Sequence, residues 1–214
     1  MAQDRGRGHA VKAFFDFKAA FPSIIHKWIF RCLRARGIPE WLCKFFECIY
    51  WMNGAFGRSH GAKVFLFWYL SGVLQGCPGS GLLFNIAIDP FLFNFEEVIP
   101  MRQRGLVRAC ADDIGAVLKK LSGLVHLEKV FRKAERLSGL VLGPAKCKLV
   151  PIDVPFSDAV KDEIQNWLHQ NLPCWEHFSV VPAAKYLGIY MGPKAMDFNW
   201  TLPLAKFWQE GEGH

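Results

Sequence analysis

Three aspartates carry the most specific chemistry in this sequence. Asp112 and Asp113 are adjacent and lie inside Leu106-Val107-Arg108-Ala109-Cys110-Ala111-Asp112-Asp113-Ile114-Gly115-Ala116-Val117-Leu118, two apolar runs that predict a β-hairpin with an acidic tip. An ionised carboxylate in an apolar setting needs a positive partner, because burying it alone costs several kcal/mol or more. No basic residue follows before Lys119, so the pair points to a divalent cation held by oxygen ligands, for which Mg²⁺ is the fitting ion. The competing reading is a solvated acidic turn, since Asp is common in turns. Asp16 adds weight to the metal: it lies in Phe14-Phe15-Asp16-Phe17, an aromatic run of high strand propensity that offers a lone charge no partner. If that strand lies beside the hairpin, the three acids converge on two ions roughly 3.5–4 Å apart, the arrangement of in-line phosphoryl transfer.

The rest of the chain must position those acids. Residues 10–17 read as a strand, 22–37 as a helix with Pro22 in its first turn, and the stretch from Pro39 to Asn53-Gly54 as a second helix. Residues 55–62 read as a loop, and 63–70 as a strand, although so short an apolar run also fits a buried helix. A turn-rich segment, 71–81, leads into a helix over 82–98 with Pro90 as a point of kinking. Beyond the acidic hairpin, Ser122 caps a helix that Gly139 ends; 147–151 is a strand, 157–172 a helix stopped by Pro173, and 186–191 a last strand. This order predicts an α+β domain, a ferredoxin-like core with helices on one face of an antiparallel sheet. In such a core the first strand neighbours the hairpin, and the three acids share one end of the sheet.

Composition narrows the partners. At 214 residues the chain supports one substantial core or two small ones, and 51% apolar with 14% aromatic content excludes a disordered protein. The net charge of +7 favours a polyanion, although the basic residues around Arg34 and Arg132 also read as solvated helix faces. Seven cysteines without a Cys-x-x-Cys pair argue against a disulfide framework and a structural zinc site. The apolar run from Val64 to Leu70 is too short for a membrane span, so no membrane partner is expected. The chain starts almost directly at its first strand, which suggests a fragment of something longer. The oligomeric state stays open.

The motifs resemble the palm domain of reverse transcriptases, most closely those of non-LTR (LINE-type) retrotransposons. Phe15-Asp16-Phe17-Lys18-Ala19-Ala20-Phe21-Pro22 is similar to motif A, and Ser71-Gly72-Val73-Leu74-Gln75-Gly76-Cys77-Pro78 to motif B. Ala111-Asp112-Asp113 is similar to motif C, Leu137-Ser138-Gly139-Leu140 with Lys146-Cys147 to motif D, and Lys185-Tyr186-Leu187-Gly188-Ile189 to motif E. The resemblance implies an N-terminal stub over 1–9, a palm over 10–193, and a tail over 194–214 toward a missing thumb, with fingers and thumb largely absent. It implies an RNA-directed DNA polymerase that adds dNTPs to a DNA primer on an RNA template. Asp16, Asp112, Asp113 and the Phe17 carbonyl would hold two Mg²⁺ ions, which Mn²⁺ can replace.

By the same resemblance Phe21 gates the incoming sugar, Gln75 and Gly76 lie along the template base and nucleotide, and Lys146 serves the departing pyrophosphate. Tyr186, Leu187 and Gly188 grip the primer. Each has a plainer alternative: a core Phe21 beside Pro22, a turn glycine at 76, an exposed lysine at 146. Cys110, Gly79 and Gly143 depart from the family pattern without removing a metal ligand. The alternative to a polymerase is a catalytically inactive relic or nucleic-acid-binding domain of the same fold. A nucleotide cyclase is disfavoured by the motif B string, and a P-loop enzyme by the lack of Gly-Lys-Ser or Gly-Lys-Thr. The resemblance implies an intracellular enzyme, nuclear or cytoplasmic.

Overall fold

Alternation decides the first element. In Val11–Phe15 (β1), Val11, Ala13 and Phe15 are buried while Lys12 and Phe14 are only half-buried, the period of two that a pleated strand imposes. The computed structural model describes residues 8–201 and Leu204. After β1 come a single helical turn, Ala20–Ser23 (α1), two helices, His26–Ala35 (α2) and Glu40–Tyr50 (α3), and two strands, Gly54–Ser59 (β2) and Ala62–Trp68 (β3). The long helix Ser80–Val98 (α4) precedes the hairpin Gly105–Cys110 (β4) and Asp113–Leu118 (β5), followed by Leu124–Ser138 (α5) and Lys148–Pro151 (β6). Asp158–Asn171 (α6), Ser179–Val180 (β7), Ala184–Tyr186 (β8) and Ile189–Met191 (β9) complete the order. No helix among the described residues is long and apolar enough to cross a membrane.

The chain divides into two compact units. Met1–Asp16, Asn94–Val130 and Leu142–His214 form the first, and Phe17–Phe93 with Phe131–Val141 form the second. In the first unit a five-stranded sheet runs β4-β5-β1-β6-β7, antiparallel except for the parallel β6–β7 pair. Register sets Phe15 opposite Ile114, Ala13 opposite Ala116 and Val11 opposite Leu118, all buried, so one face of the sheet is continuous core. Phe15 packs there against Trp175 and Phe178, ring centroids 5.7 and 6.0 Å away. On the other face Phe14 pairs with Gly115, and the ring of Tyr186 from the β8–β9 hairpin lies 5.4 Å from Phe14.

The second unit gathers α1, α2, α3, the β2–β3 hairpin, the first part of α4 and the last turns of α5. The helix predicted over 22–37 is broken. Ile24 and Ile25 are extended (ψ 126° and 127°), because the Ile24 carbonyl accepts the Gly72 N–H (2.7 Å) and the Ile25 N–H donates to the Ser138 carbonyl (2.9 Å). Partners distant in sequence thus replace bonds a continuous helix would make. The predicted loop over 55–62 is instead β2 and a two-residue turn, His60 (φ 49°) and Gly61 (φ 83°), whose left-handed pair matches the twist of a hairpin. The same device, Leu187 (φ 47°) and Gly188 (φ 88°), turns the predicted strand over 186–191 into the β8–β9 hairpin. Ser122 does not cap α5; it lies within a 3₁₀ turn, Leu121–Gly123, that precedes it.

Two glycines let the backbone of the second unit close up. A Cβ on Gly72 (φ 87°) would meet the Pro22 carbonyl oxygen at 2.6 Å, and one on Gly139 (φ 77°) the Ser23 carbonyl oxygen at 2.8 Å. Gly37 (φ 73°) has the same conformation with open space around it. Gly37→Ala is therefore expected to cost about 1–2 kcal/mol from conformation alone, and Gly139→Ala at least about 1–3 kcal/mol more from the clash with backbone. Urea unfolding of the two variants measures the difference; equal midpoints would show that the close approach is not needed.

Candidate active site

The acidic tip is a tight turn. Cys110 pairs with Asp113, leaving Ala111 (φ 53°) and Asp112 to turn the chain, so Asp113 opens β5 at the end of the sheet where β1 also stops. Phe15 faces Ile114, so Asp16, the residue immediately after β1, follows on toward Asp113. The electrostatics record the gathering: loss of hydration raises the Asp113 carboxyl above its ordinary value, and the charges of Asp112 and Asp16 raise it further. The apolar setting anticipated for these acids is absent. Asp16 is half exposed between buried Phe15 and Phe17, and Asp113 is exposed as well, because neighbours along a strand point to opposite faces.

Asp16 is held from below. Its N–H donates to the Cys147 sulfur (3.4 Å), and its carbonyl accepts the Gly143 N–H (2.8 Å). Burial pushes the Cys147 thiol up to about 12, so at neutral pH it stands beside Asp16 as a neutral S–H that also donates to the Gly143 carbonyl (3.5 Å). Lys146, from the short 3₁₀ turn Pro144–Lys146, brings Nζ to 3.7 Å from Asp16 Oδ1. Both side chains are more than a third exposed, so the pair itself is worth at most about 1 kcal/mol. Its value is placement of a cation at the acids.

Tyr186 reaches the same end of the sheet. Its hydroxyl donates to the Asp113 carbonyl (3.3 Å), and its ring lies over Gly115, where an added Cβ would sit 3.2 Å from it. Burial first, and then the Asp113 charge, raises the Tyr186 hydroxyl above its ordinary value, which keeps it a donor. Leu187 and Gly188 form the tip of this second hairpin. Asp16, Asp112, Asp113, Lys146 and Tyr186 thus come together in one unit.

Phe17, Phe21, Gln75 and Gly76 belong to the second unit. Phe17 is buried against Phe131 (6.0 Å), and Phe21 is half-buried and stacked on Phe84 (4.4 Å, 15° between planes). The Phe21 carbonyl accepts the Val73 N–H (2.9 Å), which ties its turn to the segment carrying Gln75 and Gly76. Gln75 and Gly76 are exposed in a turn closed by the Cys77 N–H and the Leu74 carbonyl (3.3 Å); Gly76 has φ 83°, as the third residue of a type II turn requires, and nothing near it.

Sequence reasoning missed Cys147, Gly143, Gly115 and His26 as supports. Gly115 was the readable one, an isolated glycine inside an apolar strand, which marks close approach of another group. His26 Nε2 donates to the Gly72 carbonyl (2.7 Å), a bond with no local sequence signal. As for metal, the acids offer oxygen donors only, which suits a hard cation. Among the described residues, however, no group of three or more His, Cys, Asp or Glu side chains is arranged to hold an ion.

A mostly antiparallel sheet with an acidic hairpin beside its first strand, ordered this way along the chain, has the architecture of a palm domain. The chain belongs to the reverse transcriptase (RNA-dependent DNA polymerase) family, whose pattern it matches over residues 2–191. It is 31% identical over 144 residues to the retrovirus-related Pol polyprotein from type-2 retrotransposable element R2DM of Drosophila melanogaster, covering 65% of this chain and 14% of that protein. This likeness bears out the resemblance to retrotransposon enzymes. The structure is similar to apo telomerase from Candida tropicalis truncated from its C-terminal domain (TM-score 0.60, 12% identity, 89% of this chain and 35% of that one). It is also similar to telomerase from the same organism in complex with a TWJ fragment of telomeric RNA (TM-score 0.57, 13% identity, 72% and 28%). The chain therefore spans a minor part of the length of each of these relatives.

Crowding of like charges has a consequence for stability. A carboxyl raised by folding favours its protonated form in the native state, so its contribution is complete below the unfolded value of about 3.9 and is lost as pH rises through the raised native value. In chelator, Asp113→Asn should match the parent's Tm in acid and exceed it at neutral pH. Calorimetry across pH decides; an Asp113→Asn Tm below the parent's at neutral pH would contradict the crowding.

Proposed function

We propose that this chain is the palm region of an RNA-directed DNA polymerase of the LINE type, adding dNTPs to the 3′-hydroxyl of a DNA primer on an RNA template. The observation that carries the reading is the convergence of Asp16, Asp112 and Asp113 at one end of the sheet, with the Asp113 carboxyl raised first by loss of hydration and then by the charges of the other two. Those three carboxylates would hold two Mg²⁺ ions, replaceable by Mn²⁺; when bound, the ions supply a lowered pKa at the attacking hydroxyl and charge for the departing pyrophosphate. The work of the chain's own residues is positional. The sheet and the Cys147 and Gly143 bonds fix Asp16, Lys146 offers a cation and a proton beside it, and the β8–β9 hairpin presents Tyr186, Leu187 and Gly188 as a ledge for a primer end. Phe21, braced by Phe84, is the gate under the incoming sugar, and Gln75 and Gly76 lie along the template base and nucleotide.

Extension of a DNA primer on an RNA template tests the reading. The parent should extend in Mg²⁺, and the Asp112→Asn/Asp113→Asn double variant should be slower by at least about a thousandfold, or ~4 kcal/mol of barrier. If neither extends, autonomous catalysis is refuted, and the chain is a relic or nucleic-acid-binding piece of the same fold.

The gate is tested separately by competition between nucleotides. Phe21→Val should raise incorporation of ribonucleotides relative to deoxynucleotides by about ten- to a hundredfold, as removing a steric sieve does. An unchanged ratio would return Phe21 to the core.

A further inference from the structure

The second unit holds a groove that the carboxylates do not explain. Its volume is about 960 Å³, and it is lined by α2, the C-terminal end of α3 and the end of β3. The wall from α2 is basic. Lys27, Arg31 and Arg34 follow one another at i, i+4 and i+7, which places them along one face of the helix at steps of about 5–6 Å. Arg34 is neutralised by Glu40 (2.9 Å) and Glu47 (2.7 Å), and Glu47 is the sole acid of the lining. Lys27 and Arg31 are exposed and form no ion pair among the described residues.

The opposite wall is aromatic and open. Trp51 is 75% exposed, Trp68 45% and Tyr69 43%, a cost that an ordinary surface avoids. Trp68 and Tyr69 are braced on one side by Phe65 (4.8 Å between ring centroids) and Phe67 (5.2 Å). Tyr50 is buried, packs edge-on to His26 (4.8 Å), and its hydroxyl accepts the Leu74 N–H (3.4 Å).

We infer that this groove binds a single strand of nucleic acid, its bases stacked on Trp51, Trp68 and Tyr69 and its phosphates paired with Lys27 and Arg31. Charge selects this occupant. An apolar peptide or a second copy of the same face would strip water from Lys27 and Arg31 without supplying a counter-charge, a penalty that a phosphate backbone removes. Stacking then gives the exposed rings a partner with an apolar face, the combination that single-strand binders use. A duplex, whose bases are already stacked, offers these rings nothing. The inference stands apart from the polymerase reading, since a chain unable to extend a primer would still bind in this way.

Fluorescence anisotropy of a labelled oligouridylate of about twelve nucleotides, with the full chain in chelator, tests it. The parent should bind, Trp51→Ala should weaken binding at least about fivefold at unchanged Tm, and Trp51→Phe should restore it. Lys27→Gln and Arg31→Gln should each lower the slope of log affinity against log salt by about 0.7. The inference is overturned if the parent does not bind, if these variants bind like the parent, or if a duplex of the same length binds as tightly. It also falls if the variants break self-association while leaving the affinity for oligouridylate intact.

Discussion

Three carboxylates sharing one end of a sheet repel one another, and the rest of the first unit can be understood as what holds them there. The antiparallel register of β1 and β5 brings Asp16 toward Asp113, and the Ala111-Asp112 turn brings in the third acid. Continuous core on one face of the sheet, anchored by Phe15 on Trp175 and Phe178, resists the slip by one residue that would turn every acid away. From the other side, a neutral buried thiol and a glycine N–H clamp the backbone of Asp16, so its position does not depend on its carboxylate, whose ion-pair partner among the described residues is the exposed Lys146.

The residues that carry the family resemblance do two kinds of work. Some gather charge at one end of the sheet, as the aspartates and Lys146 do. Others exist so that backbones can touch: Gly72 on Pro22 and Gly139 on Ser23 join segments of the second unit that are far apart in sequence. Packing and reactivity are thus written into the same short strings.

Much of this was legible because it is local. The alternation of Val11, Ala13 and Phe15 announced a strand, the apolar runs around Asp112 and Asp113 announced a hairpin, and their order implied the sheet. What failed depended on distant partners. The periodicity of residues 22–37 is unbroken, yet Gly72 and Ser138 claim the hydrogen bonds of Ile24 and Ile25. β2 looks like a loop because Gly54, Gly57 and Ser59 lack strand propensity, and only its pairing with β3 makes it one. The setting of Asp16 was misjudged from its aromatic neighbours, although strand alternation sends residues on either side of it to the opposite face.

The place of β1 in the sheet also governs how the protein comes into being. β1 precedes the other strands of its sheet along the chain but lies between β5 and β6, so it has no neighbour in that sheet until Asp113 and beyond have been synthesised, and its second only when Pro151 is reached. At about 5–20 residues per second a ribosome leaves that apolar strand unpaired for several seconds or longer. The first strand of the sheet is therefore the one that waits longest for a partner, and pairing with it can begin only once the hairpin that carries the acids has been made.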